Sequence, residues 1–409
     1  MIWILPLFVW TGSANATTND FSDEYAATRF VFLSPDGSTL SLKGQSMFSF
    51  RDIEGAGGPG YDSITDTRTI GTRSPSVGLE DSMLAAELAL SSGWSWHLQL
   101  AFSTTSAYAD AAWVEWSRTA GIINVSLEVG HHHSVVARHE WGARESLGSR
   151  VYWGSSEEHL VGEASMSLGG VYLRWIGSLG MMRPLGAVTL NDGGDETGTL
   201  SALSYDSSRT FSGNSPVVGG VVMAEAGPFA LSLFGFMGTL AEQGGVSELY
   251  NRMANYSSLS GDTNATDFYW WGGRSDSDGE LGQLIVEIVS SREGLLERRL
   301  LQAEARYKIK SVMNFSSIEP WARFENLTIL DGDLEVEGGI PFRSAATSQA
   351  ITWDWTVYTL GASFRWPGRW VAVHVEHSLI LEANGSEALS IDNEPIANNE
   401  TTMQLELRF

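Results

Sequence analysis

Between residues 131 and 159 the chain gathers five imidazoles and three arginines among several glutamates, so this is where its side chains could do chemistry. If the stretch is extended, successive side chains point to opposite faces. His131 and His133 could then converge on a metal ion, and His132 could not join them. The other chemistry open to the stretch is electrostatic. Arg138, His139, Arg144 and Arg150 in a narrow, low-dielectric passage would set which ions pass, because a low dielectric magnifies each charge.

Other chemistries find little support. Cysteine is absent, which removes disulfides, thiolate nucleophiles and Cys-ligated zinc or iron–sulfur clusters. No Gly-x-Ser-x-Gly elbow or Ser/His or Asp/His dyad stands out, as an enzyme of the hydrolase type would need. No cofactor is implied. The acid clusters Asp192-Gly-Gly-Asp-Glu196, Asp276-Ser-Asp278 and Asp331 to Glu337 fall in expected connections and read as solvated loops. Calcium bridging is the minor alternative there, without a complete EF-type loop. The 49 acidic and 25 basic side chains give a formal net charge of −24, the wrong sign for a nucleic-acid binder.

The elements that must position these residues show in a period-2 pattern. Trp94, Trp96, Leu98, Leu100 and Phe102 alternate with Ser95, His97 and Gln99. Leu301, Ala303, Ala305, Tyr307 and Ile309 alternate with Gln302, Glu304, Arg306, Lys308 and Lys310. The chain closes on Met403, Leu405, Leu407 and Phe409 alternating with Gln404, Glu406 and Arg408. Such strands have one apolar and one polar face. With 44 glycines, 16 tryptophans and only 18% charged residues, the mixture suits a membrane β-barrel, apolar outside and polar within. No apolar run after the N-terminus approaches the length of a transmembrane helix. Ile2 to Trp10, followed by Ala14-Asn15-Ala16, reads as a signal peptide over 1–16. Residues 17–37 then form a periplasmic N-terminal segment, and 38–409 the barrel.

Counting crossings from 38–50 to 400–409 gives about sixteen, an even number in the range that leaves an aqueous channel. Parity requires one crossing at 264–272, with Arg274 to Gly279 expected as its turn. Short turns, expected in the periplasm, alternate with long polar connections outside, among them 131–157. By its place after the fifth crossing, that loop is expected to fold into the lumen as a constriction. The fold class is therefore an all-β, transmembrane, antiparallel barrel. Inward positions hold Arg174, Arg306, Lys308, Arg323 and Arg365 against Glu115, Glu128, Glu304, Glu319, Glu325 and Glu376. The cations either line one wall as a ladder for anions or interleave with carboxylates and pair. Tryptophans near strand ends, Trp270 and Trp271 among them, suit interfacial girdles, with Trp113 and Trp321 facing inward.

Several stretches resemble the phosphate-selective porin O/P family of Gram-negative outer-membrane barrels. Thr359-Leu-Gly followed by Arg365-Trp-Pro-Gly is similar to its penultimate hairpin. Glu319-Pro-Trp-Ala-Arg-Phe-Glu325 resembles a Pro-Tyr-Ala-Arg-Tyr-Glu-type strand, and Ala111-Ala-Trp-Val-Glu-Trp116 another. Where the family continues a Gly-ended strand with Gly-x-x-Lys-x-Pro-Phe, Gly130 here leads into His131-His-His, so this is a divergent resemblance. It implies an outer-membrane porin for passive diffusion of small anionic or neutral solutes, with phosphate-like preference, assembled as a homotrimer. Phe409 resembles the C-terminal signal read by the outer-membrane assembly machinery, and outer-membrane lipid is the other expected partner. Two different classes stand as alternatives: a secreted, soluble β-sandwich that binds carbohydrate, and an outer-membrane barrel enzyme.

Overall fold

Wherever apolar and polar side chains alternate, the chain is extended, and each such segment pairs with the next. The computed structural model describes residues 30–53, 59–61, 68–70, 76–102, 107–132, 136, 156–182, 185–189, 201–205, 215–239, 259–260, 267–293, 296–312, 314–330, 335–336, 340–341, 353–367, 371–384 and 399–408. The barrel strands are β1 (Thr39–Ile53), β2 (Ser76–Ala89), β3 (Trp94–Phe102), β4 (Ala107–Ala120), β5 (Ile123–His132), β6 (Ser156–Leu168), β7 (Val171–Met182) and β8 (Pro216–Ala226). They continue as β9 (Phe229–Thr239), β10 (Asp267–Gly279), β11 (Gly282–Glu293), β12 (Leu296–Tyr307), β13 (Phe315–Leu330), β14 (Trp353–Arg365), β15 (Val371–Asn384) and β16 (Glu400–Arg408).

Each strand pairs antiparallel with its sequence neighbours, and β1 pairs with β16, so the sheet closes into a ring of sixteen. Ile309–Val312 carries β12 onward past Lys308 along the same edge of β13. Phe30–Leu33 pairs with the start of β1, taking over from β16 where that strand ends. No helix among the described residues is long and apolar enough to cross a membrane.

Closure decides which face is which. Val125, Leu127 and Val129 on β5, Leu231 and Leu233 on β9, and Met403 and Leu405 on β16 are exposed outward, while Glu128, Glu304 and Glu406 are buried inward. That is the expected inversion, apolar outside and charged inside. One end of the barrel carries tight turns. At one of them Gly93 takes a φ of +86° and donates its N–H to the Leu90 carbonyl at 3.1 Å, a conformation that suits glycine. The other end carries the long connections, with short exceptions at 103–106 and 294–295.

On the outside of β6 to β9, Gly162, Gly177, Gly220 and Gly235 stand side by side in register. A sheet can curl tightly where such a row carries no side chains. On the inside, Phe236 lies over Gly219 of β8, Phe234 over Gly272 of β10, and Trp321 over Gly361 of β14. The inner face is therefore not wholly polar. Phe234 and Phe236 pack on Trp270, with ring centroids 5.4 and 4.5 Å away, and all three are buried.

Two expectations need correction. Arg274 to Gly279 is not a turn but the second half of β10, and the turn follows at Glu280-Leu281. The polar run stays extended because its inward members find partners inside: Asp276 accepts from Gln283 at 3.0 Å, and Arg274 lies 3.9 Å from Glu287. The Asp276–Asp278 cluster is accordingly in a strand rather than a connection. Trp270 faces inward, not into a girdle, because Phe268 and Trp270 share the inner phase while Tyr269 and Trp271 take the outer one. With aromatics on both faces, alternation gave no phase there.

Candidate functional site

The inner wall is where charged side chains collect, and two sectors of it differ. On β12–β14 the cations Arg298, Arg306, Lys308, Arg323 and Arg365 point inward, with Lys310 following in the same phase. Their carboxylates are Glu304, Glu319 and Glu325. Register brings Arg306, Lys308 and Arg365 onto one of these: Glu319 lies 3.1 Å from Arg306, 3.8 Å from Lys308 and 3.4 Å from Arg365. The hydroxyl of Ser317 donates to Glu319 as well, at 2.8 Å. Further along, the fully buried Arg323 lies between Glu304 (3.9 Å) and Glu325 (3.4 Å), with its guanidinium 5.5 Å from the Trp321 ring centre. Arg298 is paired with Glu293 at the end of β11.

Across the ring, β3–β6 present Glu115, Glu128 and Glu163 inward and, among their described inner positions, neither Lys nor Arg. Glu115 and Glu128 are direct cross-strand partners, a like-charge pair. His97 stacks on Trp113 at 4.5 Å and sets Nε2 3.4 Å from Glu115, beside the Ser95 hydroxyl at 2.9 Å. Arg174 on β7 reaches across to Glu163 at 2.6 Å. Six strands lie between β4–β5 and β12–β13 in either direction, so the two sectors face each other across a ring of sixteen.

Of the residues singled out in the sequence, Arg174, Arg306, Lys308, Arg323 and Arg365 all line the inside, and every one is close to a carboxylate. The two readings left open resolve in favour of pairing, with the cations nevertheless concentrated on one side. Arg138, His139, Arg144, Arg150, His133 and Phe409 lie outside the described residues. His131 meets Glu157 at 3.3 Å, with its ring 6.2 Å from that of His159. Among the described residues no group of three His, Asp or Glu side chains is placed to hold a metal.

One constellation escaped sequence reasoning. The Ser363 hydroxyl is bonded to His374 Nδ1 at 2.7 Å, and His374 Nε2 to Glu406 at 3.1 Å, on the successive strands β14, β15 and β16. The order of groups is that of a nucleophile, base and acid. Its surroundings point to structure instead. Glu406 also accepts from Arg408 at 2.6 and 2.8 Å and from Gln45 of β1 at 2.7 Å, which fills the carboxylate's acceptor sites. Ser363 is only 3% exposed, and strand amides around it are committed to the sheet ladder rather than to an oxyanion. The chain of bonds ties β14, β15 and β16 to β1 across the seam of the barrel. No spacing of the residues at 45, 363, 374 and 406 signals it in the sequence.

The chain matches no protein-family model and no curated protein. Solved structures are similar to it in fold. The outer-membrane channel DcaP of Acinetobacter baumannii is 11% identical, with 92% of this chain and 99% of that one aligned and a TM-score of 0.57. OmpF of Salmonella typhi in complex with daunomycin is likewise 11% identical over 92% and 99%, with a TM-score of 0.55. The trimer form of OmpT, an outer-membrane protein of Vibrio cholerae, is 9% identical over 91% and 100%, with a TM-score of 0.51. The chain therefore has the closed barrel fold of Gram-negative outer-membrane channel proteins.

Proposed function

We propose that the protein is an outer-membrane porin, a water-filled channel for passive diffusion of small hydrophilic solutes and ions. The observation that carries this reading is the closed ring of sixteen strands with lipid-compatible side chains outside and charged ones inside. Sixteen strands leave room for an aqueous lumen. Purified protein added to a planar bilayer should give discrete conductance steps, and a barrel that inserts without conducting would sink the proposal.

The finer reading is a preference for anions, phosphate-like ones included. It rests on Arg306, Lys308 and Arg365, which surround a single carboxylate. The loop 131–157 is assigned as the constriction by its place between the fifth and sixth barrel strands. Reversal potential under a potassium chloride gradient tests both. Replacing Arg138, Arg144 and Arg150 with Ala should move it toward the potassium potential; no movement removes the constriction role. We assign a homotrimer, in keeping with the trimer form of OmpT. Cross-linking in native membranes that yields only monomers would refute it. The enzyme alternative, for which the Ser363–His374–Glu406 chain is the specific observation, predicts labelling of Ser363 by a fluorophosphonate.

A further inference from the structure

On the outer face, polar side chains return where the lipid band ends. Ile288 of β11 and Leu301 of β12 are register partners, both exposed to the outside. One step toward the long-connection end come Ser290 and Arg299, facing each other, and then Arg292 and Glu297. On β10, Trp271 stands opposite Ser290 and Tyr269 opposite Arg292. Trp271 is 59% exposed and Tyr269 is exposed too. Outward aromatic side chains at strand ends mark the headgroup level of a membrane, which places the two arginines at the same level. On β13, Thr328 stands opposite Arg299, donates to Asn326 at 3.1 Å, and Asn326 in turn donates to Thr356 at 2.9 Å.

Arg292 and Glu297 lie 3.6 Å apart and are both well exposed. Arg299 is exposed and makes no ion pair or hydrogen bond to another described residue. A guanidinium at the edge of a hydrocarbon layer seeks an acceptor, and its planar fork matches phosphate oxygens. The hydroxyls of Ser290 and Thr328 flank it and suit the neutral oxygens of a headgroup. The hairpin joining β11 to β12 is short, so this rim stays near the membrane plane rather than rising into a long loop.

We propose that the outer face of β11–β13 around Arg299 binds the phosphorylated headgroup of an anionic membrane lipid. The proposal rests on the membrane-spanning reading above and is independent of what the lumen conducts. The full chain, folded in detergent micelles, is titrated with phosphatidylglycerol, phosphatidylcholine or inorganic phosphate, and adducts are read by native mass spectrometry. Phosphatidylglycerol should bind in preference to phosphatidylcholine, and R299Q should weaken it about fivefold, the effect of one arginine at an anionic headgroup plane. R299K, which keeps the charge and loses the fork, should fall between. Equal lipid retention by R299Q and the unaltered protein overturns the proposal, as does displacement of lipid by inorganic phosphate, which would make the site one for a free anion. A changed oligomeric state in R299Q with lipid retained would give the face to a second copy of the chain and also overturn it. Heat-modifiable migration of R299Q confirms that the barrel forms. Failure of the native protein to conduct, with Arg299-dependent lipid binding intact, would strike the channel reading alone.

Discussion

The inner faces of β3–β6 and of β12–β14 stand across the lumen from each other and solve the burial of charge in opposite ways. On β12–β14 each carboxylate has a guanidinium or ammonium partner: three for Glu319, and Arg323 shared between Glu304 and Glu325. On β3–β6 the carboxylates Glu115 and Glu128 face one another, with an imidazole as the nearest described cation-forming group. The first arrangement is a braced wall in which every charge depends on its partners. The second is a wall on which a like-charge pair is approached by an imidazole and a hydroxyl, His97 at 3.4 Å and Ser95 at 3.3 Å from Glu115, in place of a guanidinium. Together they place a cation-bearing flank and an acidic flank on opposite sides of the lumen.

The contrast can be broken at its strongest point. Replacing Arg323 with Leu leaves Glu304 and Glu325 buried without their shared cation, and loss of one partner from a buried charge cluster costs ~3–5 kcal/mol. The temperature at which the folded form converts to the unfolded form in detergent gels should fall clearly; an unchanged temperature would mean that water, not Arg323, solvates those carboxylates. Next in size is the triple replacement of Arg306, Lys308 and Arg365 with Gln. It should raise the ratio of cation to anion permeability about tenfold, the effect of ~1.4 kcal/mol at a site of reduced dielectric. A ratio that stays put would show that Glu319 already cancels the cluster.

The smallest change is expected on the opposite wall, and with the opposite sign. Glu128→Gln removes a like-charge contact, so it should stabilise the barrel by up to about 1 kcal/mol and raise the conversion temperature slightly. The same variant should shift permeability toward anions by only a few-fold, since one charge is removed and not three. Destabilisation by Glu128→Gln would mean that the pair is bridged by a bound cation or proton, and that the two walls are more alike than their residues suggest.

How much of this was legible beforehand follows from what each feature depends on. Strand positions and facing depend on local alternation, so β12, β13 and β16 could be placed, inner and outer faces included, from residues such as Glu304, Arg323 and Leu405 alone. Local pattern alone shortens β10, because Phe268 to Trp271 carries aromatics on both faces and Arg274 to Gly279 imitates a turn. The convergence on Glu319 depends on the register between β12, β13 and β14, which no single strand encodes. The bonds linking Gln45, Ser363, His374 and Glu406 depend on closure of the whole ring.

That closure has a kinetic consequence. Among the sixteen barrel strands, fifteen pairings join neighbours in sequence and β1 with β16 joins distant ones: Gln45 and Glu406 are 361 residues apart. For an unstructured chain, meeting over such a separation would cost about 5 kcal/mol of loop entropy. Once the other pairings have zipped in order, what remains is a curved ribbon whose two edges are already held near each other. Within the barrel sheet, long sequence separation is thus confined to one line, and the barrel should fold as a sequence of local hairpins followed by a single long-range closure. Glu406, with bonds to both edges, sits where that last event is completed.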